Sequence, residues 1–188
     1  MDKSTQKIFV IGCTHFGHKA ALRFTNKKTG ELTRNFDTIE EHDQLLIENW
    51  NNTVSDDDIV YHLGDVAFCK KPKALSIIRQ LKGQKRLVLG NHDNDWLHTF
   101  IRNQDERMFT KIYVDLPLPN FGVILSHRPL HVSQRYDFDS KSYLLNVHAH
   151  VHSDTLSDKA AYFNACAENI GMTPILLEEA IAHSKGAF

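Results

Sequence analysis

Six short apolar runs recur along this chain with amphipathic helical patterns between them, and that alternation restricts it to layered α/β or α+β architectures. The runs are KIFVIG (7–12), DIVYHLG (58–64), KRLVLG (85–90), FGVILS (121–126), YLLNVHA (143–149) and AAYFNACAE (160–168). Three helices read between or after them. Asp37 is a suitable N-cap with Glu40 at the capping-box position, and Ile39, Leu46 and Trp50 follow on one face. Pro72 suits a first helical turn ahead of the stripe Ala74, Leu75, Ile78 and Leu81. Pro174 is expected to open a third, with Leu177, Ala180 and Ile181 facing inward. Residues 25–35 and 129–142 are polar and turn-rich and read as surface loops.

A chain of 188 residues is long enough to bury a full core, and with no repeat or linker-like segment the reading is one domain, 1–188. A formal net charge of -1 excludes a strongly basic nucleic-acid footprint. Local clusters remain (Lys70, Lys71 and Lys73; Lys82, Lys85 and Arg86), which read as solvated loops or helix ends. No apolar run approaches the ~20 residues of a membrane span, and MDKSTQKIFV lacks the features of a signal peptide. Cysteines at 13, 69 and 166 are scattered, as expected of free thiols in a cytoplasmic protein.

The residues standing at the ends of the apolar runs carry the chemistry. Cys13 and His15 follow the first, Asp65 the second, Gly90-Asn91-His92-Asp93 the third, His127 the fourth, and His148, His150 and His152 the fifth. Loops at the carboxyl ends of strands converge in layered α/β folds, so metal-ligating types arrive five times where they can meet. Singly, each has a plain structural reading as a turn or a packed histidine. In extended chain the three histidines at 148, 150 and 152 would project to one face, where a metal would hold them neutral.

The order of these blocks resembles the calcineurin-like metallophosphoesterase family, whose motifs run Asp-x-His, Gly-Asp, Gly-Asn-His-Asp/Glu, a lone His, and Gly-His-x-His. Here they stand as Cys13-Thr14-His15, Gly64-Asp65, Gly90-Asn91-His92-Asp93, His127 and Ala149-His150-Val151-His152, spanning residues 8 to about 170. THFGH and LIENWN…DIVYHLGD especially resemble small bacterial and phage members. The resemblance implies a four-layer α/β/β/α sandwich with two mixed β-sheets and two divalent ions (Zn, Fe or Mn). It places Cys13, His15, Asp65 and His152 on one ion, and Asp65, Asn91, His127 and His150 on the other. It further implies a bridging hydroxide attacking phosphorus, His92 protonating the leaving oxygen, and Asp93 orienting the His92 ring. His18 and Arg23 are candidate substrate contacts, and His148 is either packed or set behind a ligand.

Two positions depart from the pattern. Cys13 replaces Asp, which keeps the single negative charge of a deprotonated ligand but favours Zn2+ or Fe2+ over harder ions and adds susceptibility to oxidation. Ala149 replaces Gly, which matters only if the backbone there has positive φ. The leading expectation is a phosphoesterase acting on a phosphodiester or a small nucleotide-like phosphoester. A phosphorylated small molecule is favoured over nucleic acid, since no basic stripe with interleaved aromatics marks a channel. The rival is a degenerate scaffold that binds a ligand or protein without turnover.

Overall fold

The computed structural model describes residues 6–93, 108–137, 139 and 142–186. All six apolar runs form strands, trimmed at their ends except that the third starts one residue earlier: β1 (Ile8–Ile11), β2 (Ile59–His62), β3 (Gln84–Val88), β6 (Val123–Ser126), β9 (Leu145–His148) and β10 (Tyr162–Asn164). Five further short strands are β4 (Lys111–Tyr113), β5 (Asp115–Leu118), β7 (Tyr136–Asp137), β8 (Ser142–Tyr143) and β11 (Ile175–Leu176). Among the described residues the α-helices are α1 (Ile39–Thr53), α2 (Lys71–Gln80) and α3 (Leu177–Ser184).

Two mixed sheets result. The first runs β11-β1-β2-β3-β4, parallel except for the antiparallel β11–β1 pair. The second runs β10-β9-β6-β5, with only β5 antiparallel to its neighbour. Pro117 sits in β5 at the sheet edge, where a missing N–H leaves no ladder bond broken.

Period-two alternation decides which side chains fill which layer. Phe9, Ile11, Val60 and Leu87 pack outward against Leu46 and Trp50 of α1 and Ile77 and Ile78 of α2. Val10, Tyr61, Leu63 and Val88 point the other way, into a shared layer with Val123, Leu125, Leu145 and Val147 of the second sheet. Leu177 and Ala180 bring α3 onto that same layer. On the outer face of the second sheet, Ile124 is covered by Leu130 and Leu144, from the segment that carries the β7–β8 hairpin.

Several local expectations are corrected. The N-cap of α1 is Thr38, not Asp37, and the capping box closes on Glu41, because the hydroxyl of Thr38 accepts from the Glu41 N–H at 3.2 Å. Pro174 precedes β11 and not the third helix, which begins at Leu177. The two supposed surface loops are partly interior. Arg34 is fully buried, and Leu130 and Arg135 are buried in the second segment, where Arg135 donates to the Leu144 and Ala161 carbonyls. Among the described residues no helix is long and apolar enough to cross a membrane.

Candidate metal centre

The loop after β1 is built against the loop after β2, backbone to backbone. The N–H groups of Cys13, His15 and Phe16 donate to the carbonyls of Gly64, Asp65 and Val66 at 2.9, 3.1 and 2.9 Å. A Cβ on Gly64, at φ 85°, would lie 2.5 Å from the Gly90 Cα and 2.7 Å from His127 Nδ1, so the third loop presses on the second with no room for a side chain. Six described non-glycine residues have positive φ, and five of them are expected metal donors: Cys13, His15, Asp65, His150 and His152. Left-handed backbone costs ~1–2 kcal/mol per such residue, and its concentration marks a place where geometry is held for a purpose.

These turns bring the donors together. Oδ2 of Asp65 lies 3.9 Å from His15 Nε2 and 3.6 Å from His127 Nε2, with all three side chains buried. His127 Nε2 is also 3.0 Å from Asn91 Oδ1 and 3.1 Å from His150 Nδ1. The ligating atoms of Cys13, His15 and His152 lie within 4.8 Å of one another, as do those of Cys13, Asp65 and His127. Cys13 Sγ accepts the His150 N–H at 3.2 Å and has no exposure to solvent.

In three of these imidazoles the second nitrogen has its own partner. His127 Nδ1 donates to the Leu63 carbonyl at 2.7 Å, His15 Nδ1 pairs with His18 Nδ1 at 2.9 Å, and His152 Nδ1 faces Glu168 Oε1 at 2.7 Å. His15 Nε2 is buried with no hydrogen-bond partner among the described residues. An unpartnered imidazole nitrogen facing a carboxylate and a thiol fits a cation, as does the approach of His127 Nε2 to His150 Nδ1, which needs a proton or an ion between the lone pairs.

The remaining expected residues divide. His92 is exposed in the turn after β3, its N–H donating to Asp65 Oδ1 at 3.1 Å and its ring 4.8 Å from that of Phe68. Among the described residues no hydrogen bond joins Asp93 to that ring. Its carboxylate accepts the N–H groups of Asp65, Val66 and Gly90 at 2.8, 3.1 and 2.8 Å, so it clamps the second loop to the third. Burial nonetheless raises its carboxyl above the ordinary value, against the lowering by those three N–H bonds. His18 stands behind His15 and stacks on Phe68 at 4.3 Å. Arg23 is exposed at the end of a short 3-10 turn, Lys19–Arg23, and no hydrogen bond or ion pair among the described residues ties it to the centre.

The shared face expected for His148, His150 and His152 is not formed. Extended chain ends at His148, and the φ values of 67° at His150 and 53° at His152 break the alternation. His148 is instead packed, its Nδ1 donating to the Ala149 carbonyl at 2.9 Å and its ring edge-on to Tyr162. Ala149 is not among the positive-φ residues, and a Cβ on Gly12 would sit 2.5 Å from its own Cβ. The departure from glycine there is accommodated by glycine at position 12.

A buried polar network behind the donors went unread in the sequence. Arg34 donates to the carbonyl of Thr14 at 3.1 Å, to that of Cys13, and to Glu168 Oε2 at 2.7 Å. His42 and Asp43 occupy the buried stripe of α1 beside Ile39, Leu46 and Trp50, and Asp43 accepts the Gly17 N–H at 2.9 Å. Two polar residues at core positions of an amphipathic helix were the available signal. Glu168 and Cys166 stand just past β10, the sixth run, where the pattern at the other five strand ends pointed to chemistry.

His62 links two of the loops. Its Nδ1 accepts the Gly64 N–H at 3.2 Å and its Nε2–H donates to Thr14 Oγ1 at 2.9 Å, which in turn donates to the Val66 carbonyl. Burial, with His127 nearby, lowers its pKa from 6.5 to about 3. Burial also leads the lowering at His15, His18, His148 and His150. At Glu168 burial acts upward, but the hydrogen bond from His152 and the charge of Arg34 prevail and hold it at about 2.

The consequence has one sign. His62 is neutral in the folded chain and protonates below 6.5 when unfolded, so its contribution is full above 6.5 and is lost as pH falls toward about 3. Glu168 contributes fully above its ordinary 4.5 and loses that contribution toward about 2. The metal-free protein is therefore expected to lose stability steeply below pH 6.5. His62→Gln is expected to flatten the dependence of the urea midpoint by one proton's worth, ~1.4 kcal/mol per pH unit, between pH 6 and 4.5. Parallel curves for the two proteins would contradict the assignment.

A two-sheet sandwich whose strand ends gather imidazoles, a carboxylate and a thiol at one place defines a layered α/β protein with groups that could hold a metal ion. A family model described as calcineurin-like phosphoesterase matches residues 6–160, and the chain belongs to that family of metallophosphoesterase hydrolases. It is 29% identical to an uncharacterised protein, MJ1445, of Methanocaldococcus jannaschii, across 93% of this chain and 89% of that one. It is 30% identical to the gene 66 protein of Mycobacterium phage L5, with 74% of each chain covered. The crystal structure of a protein of unknown function, AQ665 of Aquifex aeolicus, superimposes with a TM-score of 0.65 over 93% of this chain and 97% of that one. At 23% identity, that likeness establishes the shared fold.

Proposed function

We propose that this chain is a dinuclear metal-dependent phosphoesterase hydrolysing a phosphodiester or a small nucleotide-like phosphoester. The observation that carries the reading is the placement of Asp65 Oδ2 between His15 Nε2 and His127 Nε2, with His15 Nε2 buried and unpartnered. In this reading Cys13, His15, Asp65 and His152 hold one ion and Asp65, Asn91, His127 and His150 the other. Zn2+ or Fe2+ is favoured beside the Cys13 sulfur. Two such ions, when bound, neutralise charge on the phosphoryl oxygens and make hydroxide available at neutral pH.

The chain's own residues supply the rest. Asp65 shares its carboxylate between the two donor sets, while the His92 N–H holds its other oxygen at 3.1 Å. Because His92 is exposed and, among the described residues, its ring lies against Phe68, it is placed to give a proton to a departing alkoxide. Asp93 keeps His92 in place indirectly, through the backbone of its loop. A cleft of about 370 Å³, lined by Phe24, Lys27, Thr33, His150 and His152 among others, adjoins the centre and has room for the remainder of a small phosphorylated molecule.

The test is hydrolysis of a chromogenic aryl phosphodiester and its monoester by anaerobically purified protein with Zn2+, Fe2+ or Mn2+. Turnover is expected with at least one ion, and His92→Ala is expected to lower it by ~10²–10⁴-fold with metal content unchanged. No turnover with any ion on either ester would favour the non-catalytic scaffold.

A further inference from the structure

Glu168 has no part in the ligand sets above, yet it is the carboxylate on which two buried elements of the centre meet. Its side chain is 2% exposed, with one oxygen 2.7 Å from His152 Nδ1 and the other 2.7 Å from an Arg34 Nη. Arg34, fully buried, spends its other hydrogen bonds on the Cys13 and Thr14 carbonyls and on His42. One guanidinium thus ties the left-handed segment carrying Cys13 and His15 to the carboxylate that holds His152.

The backbone of His152 is fixed from the same stretch of chain. Asn164 and Asn169 both donate their side-chain N–H to its carbonyl, at 2.7 and 2.6 Å. With φ at 53° and the main chain so held, the ring still has rotational freedom about its side-chain bonds. The rings of Phe24 and His15, at 4.9 and 5.0 Å, narrow that freedom, and the hydrogen bond to Glu168 fixes the ring. That bond also decides the tautomer, since a proton on Nδ1 leaves the lone pair on Nε2, the nitrogen available to the Cys13–His15 group. A carboxylate placed this way behind a ligating imidazole orients the ring and strengthens its donation.

We propose, resting on the metal-centre reading above, that Glu168 is a positioning residue: with Arg34 as its anchor, it sets the affinity of the Cys13–His15–His152 position for its ion and leaves the Asn91–His127–His150 position unaffected. Removing one partner of a buried ion pair can unfold a protein, so the variants are Glu168→Gln, which keeps the shape, and Glu168→Asp, which keeps the charge.

Zinc titrations against a competing chromogenic chelator are the measurement. Wild type is expected to take up two ions, Glu168→Gln to bind one of them ~10–100-fold more weakly with the other unchanged, and Glu168→Asp to recover part of the loss. Wild-type affinity at both positions in a folded Glu168→Gln protein would overturn the proposal, as would equal weakening of both. Failure of the wild type to bind zinc would overturn the metal-centre reading itself, and this proposal with it. If Glu168→Gln does not fold, long-range 1H–15N spectra of the zinc-loaded wild type decide the matter. The His152 ring is expected to carry its proton on Nδ1, and a proton on Nε2 would overturn the proposal.

Discussion

Asp65→Asn is expected to abolish phosphodiester hydrolysis to within background, a loss on the order of 10³-fold or more, and to leave less than one ion per chain after dialysis. The substitution keeps the volume of a side chain that is 4% exposed, and an amide oxygen can still accept the His92 N–H. What it removes is negative charge at the atom lying 3.9 Å from His15 Nε2 and 3.6 Å from His127 Nε2. In the proposed centre both ions lean on that charge, so neither is held well without it. Elemental analysis and aryl phosphodiester turnover check the two halves of the expectation. Activity within tenfold of wild type would contradict the shared role of Asp65.

The second large effect is structural in origin. Gly64→Ala is expected to destabilise the fold by about 2–5 kcal/mol, combining left-handed strain with overpacking, and to lose metal binding in whatever protein folds. The new Cβ would meet the Gly90 backbone and His127 Nδ1, the very nitrogen that donates to Leu63 and so aims Nε2 at Asp65. Gly122→Ala is the control. Its φ of 66° is also left-handed, but nothing lies within 4 Å of a Cβ there, so only the strain is expected, ~1–2 kcal/mol. Urea midpoints for the three proteins separate collision from strain. Equal losses at positions 64 and 122 would contradict the close approach of the two loops.

Much of the architecture was legible because burial imposes a period on sequence. Runs such as KIFVIG and DIVYHLG alternate between the two layers, and that alternation survives in the partition of Phe9 and Ile11 from Val10. The short strands β4, β5 and β11 were not legible, since two to four half-exposed residues carry too little pattern and β5 contains a proline. The donors were legible through their position at strand ends. Their backbone was not: one residue type in an αL turn looks like any other, so the histidines at 150 and 152 were misplaced on an extended face.

The network behind the donors was hidden for a different reason. Arg34 lies in a polar segment whose composition reads as surface, and nothing local announces that its guanidinium reaches carbonyls twenty residues earlier. The family resemblance implies that Asp93 orients the His92 ring, whereas its carboxylate accepts the backbone N–H groups of Asp65 and Val66. Long-range hydrogen bonds of this kind follow from how loops stack once the sheets have formed, and local pattern does not encode them.

Cys13 is where the account is most exposed. Its thiol is buried, accepts the His150 N–H, and lies within ligand distance of both His15 with His152 and Asp65 with His127. The most direct measurement is elemental analysis of anaerobically purified protein beside Cys13→Ser. Two ions per chain are expected in the wild type and a loss of about one in the variant. One ion or none in the wild type, unchanged by Cys13→Ser, would contradict thiolate ligation and the dinuclear centre built on it.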